Sequence, residues 1–120
     1  MNKFDLEERL IDFSVLIIAI TQGMSNSYAA VHLAKQLLRS GTSAALNYGE
    51  AQSGESRRDF VHKMKIVLKE LRETFICLKI IERTKLYASL ENMDKAKREN
   101  NELISIFVRS IETAQRNIAG

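Results

Sequence analysis

Residues 5–24 read DLEERLIDFSVLIIAITQGM. Leu6, Leu10, Phe13, Ile17, Ile20 and Met24 recur at alternating spacings of four and three. This is the seam of a helix packed against other helices. Asp5, Glu7 and Glu8 stand at its start, where negative charge complements the helix dipole. Gly23 is the expected stop. A second stripe lies on the same stretch. At about 100° per residue, Ile11, Val15 and Ile18 fall together about 145° from the seam. An isolated bundle would leave these three in water, and exposed apolar patches mark association surfaces, so they are the expected subunit interface. Ile66, Ile76 and Ile80 form a weaker version further along the chain.

The same periodicity recurs in three more segments, predicting helices over about 5–22, 26–48, 56–84 and 92–117. Segment two opens on Ser25-Asn26-Ser27, a capping cluster, and presents small groups inward. These are Ala30, Ala34, Gly41, Ala44 and Ala45, with Val31, Leu37 and Leu38 among them. Gly41-Thr42-Ser43 is its weakest helical stretch and the place for a bend, and residues 49–54 read as loop. Segment three starts at Ser56, with Asp59 three residues on, and its seam is Phe60, Met64, Val67, Leu71, Phe75 and Leu78. Segment four carries Met93, Ala96, Leu103, Phe107, Ile111, Ala114 and Ile118, with Asn100 on the seam as a register-fixing polar residue. Proline is absent from all 120 residues and glycine occurs five times, which favours long helices with short connections. The expected fold is all-α: one domain over 1–120, an antiparallel up-and-down four-helix bundle.

Charge is unevenly spread. The net charge is +3, yet residues 55–85 hold nine basic and five acidic side chains. Arg58, Lys65, Lys69 and Arg72 recur at spacings of seven, four and three, so they share one helix face and form a candidate phosphate-binding stripe. Glu70 and Glu73 stand beside it and are expected to weaken its field by local pairing. No aromatic residue interleaves with the stripe, which argues against base stacking on single strands.

Nothing in the chain assembles a catalytic constellation. His32 and His62 stand on different helices, and one cysteine makes no zinc set, so no metal or cofactor is expected. Cys77 lies off the main seam and reads as a small apolar filler. A lone cysteine suits a reducing compartment. The start of the chain lacks the apolar run of a signal peptide, and Val15 to Ile20 is far too short to span a bilayer. The expectation is a cytoplasmic, non-enzymatic protein with no membrane contact.

The centre of the chain carries a family pattern: Leu33-Ala34-Lys35-Gln36-Leu37-Leu38-Arg39-Ser40, then Ser43-Ala44-Ala45-Leu46-Asn47-Tyr48-Gly49-Glu50, then Ser56-Arg57-Arg58-Asp59-Phe60. It resembles the four-helix-bundle proteins related to those encoded in intervening sequences of bacterial 23S ribosomal RNA genes. Gln36, Arg39, Ser43, Asn47, Glu50 and the Ser56–Phe60 run match that family's pattern. Ala45 replaces its usual proline, Ala51 its usual glycine, and Gly54-Glu55 a frequently basic pair, which reduces the kink in helix two and makes the loop less cationic. The resemblance implies a left-handed bundle, a ring-like homopentamer and no enzymatic activity. In retroelement-associated relatives it also implies a basic surface serving nucleic acid and a reverse transcriptase. Arg39 and Arg57 join the stripe as candidate nucleic-acid contacts on this ground. Arg39, Asn47 and Glu50 also have a structural reading, as hydrogen-bonding groups across the connection between helices two and three. The functional expectation is an oligomeric bundle associating with structured RNA or a nucleic-acid-binding protein. A protein–protein scaffold is the alternative.

Overall fold

The computed structural model describes residues 1–119 and consists of four helices: α1 (Lys3–Gln22), α2 (Tyr28–Ala51), α3 (Arg57–Arg83) and α4 (Leu90–Ala119). Capping side chains fix all four starts. Asn2 accepts a hydrogen bond from the Asp5 amide, Ser27 from that of Ala30, and Ser56 from that of Asp59. Ser89 does the same for Asn92. Gly23 caps the end of α1 with φ at −95°, so its role is space rather than left-handed backbone. A Cβ there would come within 2.8 Å of the Tyr87 ring. That contact, with the Ser25 amide bonded to the Leu86 carbonyl, lays the first connection against the third.

Two features of α2 differ from expectation. α2 runs on through Gly49 and Glu50 to Ala51, and its Gly41-Thr42-Ser43 stretch is unbroken helix. Nothing in that stretch forbids helix, and Ala45 supplies the amide that a proline would lack. Packing of the amphipathic face then outweighs weak local propensity.

The four helices lie side by side in a body 50 × 22 × 21 Å, about as long as α4 itself at 1.5 Å per residue. α1 packs on α2 and α4, and α3 on α2 and α4, while the diagonal pairs stand apart. Cross-contacts set every neighbour antiparallel. Ser14 of α1 reaches the Gly41 carbonyl on α2. On α2 and α3, Glu50 meets Lys63 while Leu33, at the other end, meets Cys77. Lys97 of α4 bonds Glu82 of α3, and Arg9 of α1 bonds Glu99 of α4.

The core holds the expected seam of α1 from Leu6 to Ile20, the expected seam of α4 from Met93 to Ala114, and Met64, Val67, Leu71 and Leu78 of α3. Each of the larger apolar side chains among them stabilises by roughly 1.5–3 kcal/mol. Asn100 is fully buried, its Nδ2 donating to the Leu71 carbonyl at 3.0 Å and its Oδ1 without a partner. Several expected positions turn differently. Val31 and Leu38 of α2 are exposed, Phe60 and Phe75 of α3 only partly buried, and Ile118 sits at the rim. Cys77, expected off the seam, is buried beside Leu78. The reason is that α3 packs against two neighbours, so its buried face is wider than one heptad seam and takes in Val61, Glu70, Thr74 and Ile81 as well.

Candidate nucleic-acid interface

α3 positions most of the candidate cations. With its core face turned inward, Arg58, Lys65, Lys69 and Arg72 project from the opposite side, all four exposed. Lys65, Lys69 and Arg72 line one shallow groove of about 340 Å³ together with Leu68, Glu73 and Ile76. Arg58 opens elsewhere, into a groove with Val61, Gln115 and Ile118 where α3 meets the end of α4. Arg57 is directed differently again. It lines a groove at the end of the bundle together with Arg109, which sequence reasoning did not single out. The only signal for Arg109 is its place one turn before Thr113, which lines the same groove.

Arg39 stands apart from the stripe. Its guanidinium donates to Glu70 at 3.0 Å and to Glu73 at 2.6 Å. The hydrogen bond to Glu73, then the charge of Glu70, hold it ionised beyond its ordinary range. Glu70 is buried, and a carboxylate there needs this cation. Arg39 is therefore an α2–α3 clamp with its charge already matched. The pairing also changes the field on the other side of α3. Glu70 and Glu73, expected to neutralise their basic neighbours, pair with Arg39 of α2 instead, although Glu73 still lines the groove of Lys65, Lys69 and Arg72. Arg57, Arg58, Lys65, Lys69 and Arg72 are paired with no acid among the described residues. Glu50 crosses the same interface to Lys63 at 2.8 Å. Asn47 does not cross it: its Nδ2 bonds the Ser43 carbonyl within α2.

Beside Arg39, the α2–α3 groove of about 330 Å³ is lined by Gln36, Ser40 and Ile76, with Cys77 at its floor. The Cys77 thiol donates to the Leu33 carbonyl, and burial pushes its pKa up, so it stays protonated and weakly nucleophilic at neutral pH. No group of three or more His, Cys, Asp or Glu side chains able to hold a metal occurs among the described residues. No helix is long and apolar enough to cross a membrane.

The candidate interface residues of α1 lie in water. Ile11 and Ile18 are about two-fifths exposed and Val15 is 60% exposed. Phe4, seven residues before Ile11, extends the stripe and was missed because it precedes the seam. In the register set by Ser14 and Gly41, Leu38 stands on the flank of α2 at the level of Ile18. The apolar strip therefore spans two helices.

These features define a class: a small antiparallel helical bundle with one unpaired basic helix face and one uncovered apolar face. The family model for the 23S rRNA-intervening sequence protein matches residues 2–109, and the chain belongs to that family. Among solved structures, it is similar to a protein of unknown function from the S23 ribosomal protein family of Bacteroides thetaiotaomicron VPI-5482. The two are 30% identical over 93% of this chain and 99% of that one, with a TM-score of 0.84. No curated protein matches.

Proposed function

We propose that the protein is a non-enzymatic, oligomeric helical bundle that associates with RNA or a ribonucleoprotein through the outer face of α3. The observation that carries this reading is the groove of Lys65, Lys69 and Arg72, three cations with no ion pair among the described residues, beside a Glu73 whose charge is matched by Arg39. Unpaired cations close together attract a phosphate backbone and release its counterions. Oligomerisation fits the same geometry. α1 and α3 are diagonal in the bundle, so burying Ile11, Val15 and Ile18 between copies leaves the α3 face free and multiplies it. A ring of five copies, as the family resemblance implies, is the assembly we favour. Such a protein works in the cytoplasm.

Filter binding of structured RNA over a range of salt tests the proposal. Affinity is expected to fall steeply with salt, and replacing Lys65, Lys69 and Arg72 with glutamine is expected to reduce the slope of log K against log salt by about 2–3. No binding at low salt, or a slope unchanged in the variant, overturns it. The second reading is a protein–protein scaffold, favoured by the apolar side chains of Leu68 and Ile76 within the basic groove. Capture of one stoichiometric protein partner that survives nuclease treatment would select it.

A further inference from the structure

The groove at the end of the bundle combines features that the α3 stripe lacks. It measures about 370 Å³, within the range of small-molecule clefts, and lies where α1 begins, α2 and α4 end, and α3 starts. Its lining includes Tyr48, Arg57, Phe60, Met64, Arg109 and Thr113. Neither arginine has an acidic partner among the described residues. Tyr48 is 97% buried, with 3% of its surface exposed, and its ring stacks edge-on against Phe107 at 5.6 Å. That packing holds the ring against the core. The hydroxyl makes no hydrogen bond to a described residue, yet it is not a sealed polar atom, as Asn100 Oδ1 is. Tyr48 lines the groove. Burial and the charge of Glu7 hold its pKa above the ordinary value, so it remains a donor, and Glu7 itself is not part of the lining.

We infer that this groove binds a terminal phosphate monoester of a nucleotide, held by Arg57 and Arg109 with the hydroxyls of Tyr48 and Thr113 as further donors. Two guanidinium forks match a dianion with three free oxygens better than an internal diester with one charge. Phe60 and Met64 offer an apolar wall to the attached sugar or base. As the source of the phosphate we choose the 5′ end of an RNA strand, which rests on the reading under Proposed function. Arg58, adjacent to Arg57, begins the stripe that runs on to Lys65, so a strand anchored in the groove has its following phosphates directed along α3.

The test compares two short RNAs of one sequence, ending in 5′-phosphate or 5′-hydroxyl and labelled at the 3′ end, by fluorescence anisotropy. The phosphorylated strand is expected to bind at least about ten-fold more tightly, the effect of one or two charge-assisted contacts. Arg57→Gln and Arg109→Gln, both surface changes, are each expected to bring the ratio close to one. Tyr48→Phe should lower it several-fold while leaving the circular dichroism spectrum unchanged. Adenosine 5′-monophosphate serves as competitor. If it displaces the phosphorylated strand at concentrations that leave the hydroxyl strand bound, the site stands with a free nucleotide as an alternative occupant. Equal affinity for both RNAs without nucleotide competition overturns the inference and leaves the α3 proposal standing. Nucleotide binding that requires Arg57 and Arg109, in a protein that binds no RNA, would do the reverse.

Discussion

Lys85 holds a left-handed backbone at φ 58°, the single positive φ at a non-glycine residue among those described. It ends α3 in the Schellman arrangement. The Leu86 amide bonds the Ile81 carbonyl and the Lys85 amide that of Glu82. The position that most helices give to glycine is here filled by a residue that pays for its Cβ. Lys85→Gly is therefore expected to raise stability by about 0.5–1 kcal/mol, read as a higher urea midpoint with unchanged m. A second single-residue effect works through charge. Arg39 was a candidate phosphate contact in the sequence, but two carboxylates from α3 occupy its guanidinium. Nothing local to residue 39 announces that. Its partners lie more than thirty residues away and meet it only in the antiparallel register.

At the scale of the helix, three of the four interfaces are crossed by ion pairs: Arg9–Glu99 for α1–α4, Arg39–Glu70 for α2–α3 and Lys97–Glu82 for α3–α4. The partly exposed pairs Arg9–Glu99 and Lys97–Glu82 are worth about 0–1 kcal/mol each, so they select register more than they stabilise, while Arg39 also matches the buried charge of Glu70. The α1–α2 interface has none among the described residues and uses close approach instead. Ser14 donates to both the Leu10 and the Gly41 carbonyls, and a Cβ on Gly41 would fall 2.7 Å from the Ile17 side chain and 3.2 Å from its own Cβ. Gly41→Ala thus sets a helix-propensity gain of about 1 kcal/mol against overpacking of about 1–3 kcal/mol. A net loss of stability is expected, seen as a lower thermal midpoint. An increase would show that the two helices have room to separate.

The whole molecule presents two unlike surfaces on diagonal helices. Cations gather on α3 and along the end groove, while Phe4, Ile11, Val15 and Ile18 leave α1 apolar toward water. Under the proposed oligomeric assembly, Val15→Asp should release monomers with the circular dichroism of the parent, measured by light scattering at micromolar concentration. A parent chain that is already a monomer there, or a variant of unchanged mass, would rule the α1 face out as the subunit contact. The wild-type and monomeric forms also allow the RNA test to be run with one basic groove and with several.

Hydrophobic periodicity alone determined that this chain is four helices in a bundle, because burying a seam every three or four residues is a local property of each segment. The capping serines at 27 and 56, the buried Asn100 and the surplus stripe on α1 were legible for the same reason. What only the tertiary structure decided was which polar groups remain free. Pairing Arg39 with Glu70 and Glu73 removed one candidate and left Lys69 and Arg72 without an ion pair, and bringing Arg57, Arg109 and Tyr48 together made a groove from residues spread over more than sixty positions. Charges and hydrogen-bonding groups act over a few ångströms in space, and their partners are set by register between helices, which no single helix encodes.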